Sequence, residues 1–291
     1  MDHRPTAVAE SSTSRRVRMM TVNVLDAGHA DWGDRRRVLA AGIAQARPDV
    51  IAVQEIVRSA EYDGVRDVLG EGWHVVAHPR WSRGGVGAVL ASRWPFGTVK
   101  KDAFRETGRI EAAPWCGVVV AQVAVPAPFG PLVVAHHKPS WPRGHEHERE
   151  RQAVTAARLV ESMIGGGCRH AVVLGDFDAA PDSASVRFWQ GRQSLDQMSV
   201  CYRDAWEAAH PDDPGHTFSP DNPLVQQGDM PREEGRRIDY VMVRCDDHGP
   251  TLEVERCERM FTQPVEGVWA SDHFGLLAEM CLPARPGGSR T

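Results

Sequence analysis

Short apolar runs recur along the chain, and most of them end in a carboxylate, an amide or an imidazole. Arg18-Met19-Met20-Thr21-Val22 ends at Asn23, Val50-Ile51-Ala52-Val53-Gln54 at Glu55, and Ala171-Val172-Val173-Leu174-Gly175 at Asp176. Asp239 interrupts the run from Ile238 to Val243, and Val133-Val134-Ala135 leads into His136-His137. Short runs of β-branched and aliphatic residues read as strands. They are predicted over 17–25, 50–54, 74–77, 86–92, 117–125, 132–136, 171–175, 238–243, 251–256 and 274–281. Helical spacing predicts three helices. Asp34 is placed to cap the first, which carries Leu39 and Ile43 and is ended by Arg47-Pro48. The second covers 59–69. The longest runs from about His145 to Ile164, with Ala153, Ala156, Val160 and Met163 on one side and three glycines at 165–167 to stop it.

Strand and helix alternate in places, but between residues 73 and 136 strands follow one another directly. That pattern argues against a purely parallel, doubly wound sheet and for an α/β sandwich of two mixed sheets with helices outside. One domain is expected over 17–282, with disordered tails at 1–16 and 283–291. The stretch from Pro211 to Gly235 is rich in Pro, Gly, Asp and Gln and reads as a long surface excursion of the kind that contacts substrate.

With 291 residues, 42% of them hydrophobic and 25% charged, the chain can bury a large core. A protein built to grip duplex DNA shows a basic excess or stripe. The net charge here is −5, so nucleic acid stays open as a partner but is not favoured by charge. The run Asp34-Arg35-Arg36-Arg37 reads as a solvated helix start. Six cysteines without Cys-x-x-Cys spacing read as free thiols of a reducing compartment. The first 14 residues are polar, and no run approaches the roughly 18 apolar residues of a spanning helix. No membrane span and a cytoplasmic location are expected.

The polar strand ends carry the chemistry. A carboxylate closing an apolar strand, as at Glu55, is costly to bury unless something positive neutralises it. Asn23 and Asp272 add further oxygen donors of the kind that Mg²⁺, or alternatively Mn²⁺, accepts. Asp176 and Asp178, two apart after a glycine, can point into one cleft, where a carboxylate can take a proton from an attacking water. The stretch after them is expected to start a helix capped at Asp182 or Ser183. Asp239 is the expected brace for His273, fixing its tautomer and favouring its charged form. One of His136 and His137 is expected to face a phosphate, and spacing alone does not say which. His145-Glu146-His147-Glu148 lacks the spacing of a zinc helix and reads as a polar helix start.

Taken in order, these pieces resemble the endonuclease/exonuclease/phosphatase superfamily of DNase I-like metal-dependent phosphoesterases. The resemblance rests on Thr21-Val22-Asn23, Gln54-Glu55, Gly87 to Pro95, the His136-His137 strand end, Gly175-Asp176-Phe177-Asp178, Arg237-Ile238-Asp239-Tyr240 and Ser271-Asp272-His273. It implies a four-layer α/β sandwich with two central mixed β-sheets. It implies Asn23, Glu55 and Asp272 at a divalent metal, Asp176 on the nucleophilic water and Asp239 behind His273. His137 fits the family's Thr-His-Leu histidine, with Lys138 in the place of the leucine. One departure is that the family usually has Asn where Asp178 stands. An amide donates and an ionised carboxylate only accepts, yet Asp178→Asn is expected to leave metal-dependent hydrolysis intact or raise it. The function implied is divalent-metal-dependent hydrolysis of a phosphoester or phosphodiester, in a small metabolite. The alternatives are a nuclease acting on DNA or RNA, or a fold repurposed for binding or non-hydrolytic chemistry.

Overall fold

The computed structural model describes residues 16–105, 109, 115–228 and 230–284. The apolar runs become strands of two mixed sheets. The first has the order β12-β13-β1-β2-β4-β3, built from β1 (Arg16–Asn23), β2 (Val50–Val57), β3 (His74–Ala77), β4 (Val86–Ser92), β12 (Glu253–Met260) and β13 (Gly275–Cys281). The second has the order β11-β10-β8-β7-β6-β5 with β9 beside β10. It comprises β5 (Phe96–Asp102), β6 (Gly117–Val123), β7 (Leu132–Lys138), β8 (His170–Asp176), β9 (Tyr202–Asp204), β10 (Asp239–Asp246) and β11 (Gly249–Pro250). Helices α1 (Trp32–Ala46) and α2 (Gly64–Leu69) belong to the first sheet's outer side, α3 (Glu146–Glu161) and α4 (Ala184–Trp189) to the second's. Two short helices, α5 (Ala205–Ala209) and α6 (Pro223–Gln227), lie in the connections.

Strand alternation assigns the faces. Val17, Met19, Val50, Ala52 and Leu90 of one sheet meet Val134, Leu174 and Val241 of the other in a shared core. The opposite faces bury Met20, Val22, Ile51 and Val53 under Leu39 and Ile43 of α1. On the far side Val133, Ala135 and Val173 lie under Ala153, Ala156 and Val160 of α3. The result is the four-layer α/β sandwich expected.

Pairing direction then gathers the strand ends. β1 and β2 run parallel, as do β7 and β8, so each pair finishes at one rim. β10 is antiparallel to β8 and β13 to β1, so both begin at that rim. Asp239 sits opposite Asp176 in the register, and Ser271-Asp272-His273 leads directly into β13.

Several expectations shift in detail. β5 was not predicted; half-exposed, with Lys100 and Lys101, it lacks the apolar run of a buried strand. The cap of α1 is Asp31, whose side chain accepts from the Asp34 amide, rather than Asp34. Arg35 is not solvated but 2% exposed. Ser183 precedes α4 at the cap position without a side-chain hydrogen bond. Arg16, expected in the tail, pairs with Cys281, while the rest of the predicted tails, apart from Pro283 and Ala284, lies outside the described residues. All six cysteines are free thiols. Among the described residues, no helix is long and apolar enough to cross a membrane.

Candidate active site

The inward faces of both sheets end in polar groups at the shared rim. Asn23 continues the Val17, Met19 face of β1, and Asp176 continues the Val172, Leu174 face of β8. Alternation alone would send Glu55 outward with Ile51 and Val53. A register shift between Gln54 and Ile56 makes Glu55 the extra residue of a β-bulge, in the left-handed region at φ 60. A bulge re-aims the side chain it carries, and here the carboxylate turns to Asn23. Non-glycine residues rarely hold such a φ except where the surroundings fix it, commonly at functional sites.

Asn23 ties the two carboxylates together. Its amide nitrogen donates to Glu55 Oε1 at 2.8 Å and to Asp176 Oδ2 at 3.0 Å, while its oxygen accepts from the Leu25 amide at 3.0 Å. Asn23, expected as a metal ligand, bridges the two acids that face the cleft. Asp178 adopts φ 52, which Asp tolerates better than most residues, and its amide donates to Asp176 Oδ1 at 3.1 Å. Gly175 has a reason of its own: a Cβ there would stand 2.1 Å from the His137 carbonyl oxygen.

The residue that sequence reasoning missed is Lys138. It shares the inward face of β7 with Val134 and His136, and its ammonium reaches Asp176 Oδ2 at 2.6 Å and also donates to Asp178 Oδ2. Burial opposes its charge, but Asp176, Asp178 and Glu55 outweigh that and hold its pKa above the ordinary lysine value. Burial likewise works against the Asp176 carboxylate, yet Lys138 and His273 bring it down to about 2. Asp178 is pushed up to about 6 by burial and by Asp176. Burial raises Glu55 to about 7 despite Lys138 nearby.

His137 is not brought to this cluster. Strand alternation turns it to the outer face of the sheet, where its ring packs edge-on against Phe177 at 4.9 Å, Phe104 at 5.6 Å and Trp189 at 5.8 Å. Burial lowers its pKa to about 3, so it is a neutral core histidine. His136 points between the sheets and pairs with Gln54 at 2.7 Å. Neither histidine lines the cleft.

His273 and Asp239 meet as expected, with Nδ1 3.0 Å from Asp239 Oδ2. Burial disfavours the imidazolium, but Asp239 and Asp176 overcome it and raise the pKa to about 10. The ring also packs 4.8 Å from Phe218. Two loops frame the approach. Arg35 donates to five backbone carbonyls, those of Val24, Leu25, Asp26, His29 and Ala270, and so fixes the loop after β1 beside the segment bearing Asp272. Asn222 donates to the Ser271 carbonyl at 2.7 Å, tying the 211–235 excursion to the same segment. The resulting cleft measures about 330 Å³. Its lining combines the charged groups Glu55, Asp176, Asp178, Arg236, Asp272 and His273 with the apolar side chains of Trp115, Trp141, Phe218, Leu224 and Met230.

The donors suit a hard divalent ion. Glu55 and Asp272 present carboxylates to the cleft. Asp176 and Asp239 add buried carboxylates beside them, and Asp239 Oδ1 has no hydrogen-bond partner among the described residues. Oxygen-rich sets of this kind match Mg²⁺ or Mn²⁺ better than a soft metal.

The sequence pattern of the Endonuclease/Exonuclease/phosphatase family matches residues 20–273. The chain belongs to that family. No curated protein sequence matches it. Among solved structures it is similar to D. rerio TDP2 complexed with a single-strand DNA product, at 16% identity and TM-score 0.72, covering 92% of this chain and 99% of that one. The human Nocturnin catalytic domain with bound sulfate gives 17% identity and TM-score 0.70, over 92% and 95%. An endonuclease/exonuclease/phosphatase from Bacteroides vulgatus gives 19% and 0.69, over 92% and 99%. At these identities the structural likeness speaks for the fold, and the chemistry has to come from the cleft.

Proposed function

We propose that the protein is a divalent-metal-dependent hydrolase of a phosphoester or phosphodiester bond, acting on a small metabolite whose substituent is apolar or aromatic. The observation that carries this reading is the convergence of Glu55, Asp176, Asp178, Asp272 and the Asp239–His273 pair on one cleft that is also lined by Trp115, Trp141 and Phe218. Glu55 and Asp272 would hold the ion, which when bound neutralises phosphoryl charge. Asp176, fixed by donors from Asn23, Lys138 and the Asp178 amide, accepts a hydrogen bond from the attacking water and orients it in line. His273, charged and aligned by Asp239, donates toward the phosphoryl oxygens as negative charge builds. Trp115, Trp141 and Phe218 exclude water from around the substituent. A cytoplasmic setting agrees with six free thiols.

A nuclease is the second reading. A groove of about 650 Å³ continues from Trp141, Met230 and Arg236 past Arg143 and Arg232, giving an aromatic ring and guanidinium groups on which a single strand can lie. One similar structure was solved with a single-strand DNA product. Against this, Arg143 and Arg236 are both paired to Glu233.

The test is a panel of phosphomonoesters, phosphodiesters and nucleic acids with Mg²⁺ or Mn²⁺, with Glu55→Ala and His273→Ala as controls. Turnover of a small ester, lost in both controls, supports the first reading. Turnover of nucleic acid alone replaces it with the second, and ligand retention without turnover at any metal concentration replaces it with a binding role.

A further inference from the structure

Lys138 has no part in the mechanism above beyond its contact with Asp176, yet it is a buried charge at the heart of the site. Its side chain is 1% exposed, and it does not line the cleft, whereas Asp176 and Asp178 both do. The ammonium therefore reaches substrate only through those two carboxylates. The three groups form a closed ring: Lys138 to Asp176 Oδ2, Lys138 to Asp178 Oδ2, and the Asp178 amide to Asp176 Oδ1. Two carboxylates this close and this dry repel one another, and an ammonium between them is what lets them share one wall. Forty residues apart in sequence, Lys138 and Asp178 are the ends of a single contact.

We propose that Lys138 and Asp178 are a matched positioning pair for the Asp176 carboxylate, the ammonium setting the spacing of the two acids and the oxygens they turn to the attacking water. The pair goes beyond the hydrolase reading but rests on it. It also reverses the expectation that Asp178→Asn is harmless, because that change leaves the lysine with half its partners.

The experiment compares Lys138→Met, Asp178→Asn and the double variant Lys138→Met/Asp178→Asn, with Glu55→Ala as control. It reads kcat, KM, the pH profile and thermal denaturation on whichever ester the wild type hydrolyses. Lys138→Met is expected to lower kcat about 100-fold with KM within about threefold, the pattern of lost alignment rather than lost binding. Its acid limb moves to higher pH, since the acids ionise less readily without the cation. Asp178→Asn lowers kcat about tenfold, and the double variant stays within about tenfold of wild type instead of showing the product of the single losses. Its thermal midpoint, lowered in Lys138→Met, is largely regained. Wild-type kcat and an unmoved acid limb in Lys138→Met overturn the proposal, as does a double variant that is no better than the product of the singles. Should Lys138→Met fail to fold, wild-type kcat in Asp178→Asn overturns it equally. A wild type without turnover sinks the hydrolase reading and the pair with it; turnover lost in Glu55→Ala but kept in Lys138→Met sinks the pair alone.

Discussion

A histidine works in a phosphoryl-transfer site only if its ring is held in one tautomer and one direction. Asp239 does this for His273 from inside the sheet, with no exposure of its own. Asp239→Asn keeps the shape and removes the charge, so the ring loses its preference for the imidazolium. We expect kcat to fall about 100-fold or more, with His273→Ala falling at least as far, and the combined variant no lower than His273→Ala; steady-state kinetics check this. The pair was legible in the sequence because an Asp inside an apolar strand and a His beside another Asp are each odd in place. Lys138 was not legible. A lysine after two histidines reads as a solvated strand end, and its burial is explained only by acids 38 and 40 residues further on. His137 was misplaced for a related reason: strand parity gives two faces, and only the packed aromatic rings show which face is which.

Elements position these groups through features that do not follow from hydrophobic runs. Parallel and antiparallel neighbours bring the polar ends to one rim, and the ends themselves were visible as breaks in apolar stretches. The bulge that turns Glu55 inward was not visible, because it depends on how β2 pairs with β4. Edge strand β5 and short β9 also escaped, lacking a long apolar face. Gly175 answers to steric exclusion by the neighbouring strand, which no hydrophobic pattern shows. Gly175→Ala puts a methyl against the His137 carbonyl oxygen at a φ of 149. We expect a loss of about 3 kcal/mol or more, from backbone strain together with overpacking, read by urea denaturation. Arg35 makes the complementary case in a loop. It looked like one of three surface arginines, yet it satisfies five carbonyls around the loop after β1 and beside Asp272. Arg35→Met leaves them without that donor, and a loss of about 2–4 kcal/mol is expected in the same denaturation.

At the scale of the whole molecule, the sandwich buries histidines as neutral core residues, and that sets its response to acid. Burial lowers His78 and His137 to about 3 and His136 well below the ordinary value. In the unfolded chain each titrates near 6.5, so between there and about 3 the unfolded state binds more protons. The stability these three contribute is therefore fully present above pH 6.5 and is lost as pH falls toward 3, while Glu55 and Asp178, raised to about 7 and about 6, act in the opposite sense. His137→Phe keeps an aromatic ring in the box of Phe104, Phe177 and Trp189 and removes one of these protons, so the drop in thermal midpoint between pH 6.5 and 4 should be shallower in the variant.

The overall charge makes the last distinction, between a compact ester and a strand of nucleic acid. A protein that grips many phosphates releases counterions and loses affinity steeply with salt, whereas a cleft that holds one phosphate does not. This chain carries a net charge of −5, and two guanidinium groups of its outer groove are tied to Glu233. For its preferred substrate, kcat/KM should change by no more than about threefold between 50 and 200 mM salt, against the roughly thousandfold loss of a protein making many phosphate contacts. Arg143→Ala and Arg232→Ala should then leave that value near wild type, since neither reaches the 330 Å³ cleft. A steep salt slope that flattens in either variant would move the assignment to a strand lying along the groove. The two outcomes separate without knowing the substrate's name, because the slope counts the phosphates that the protein grips.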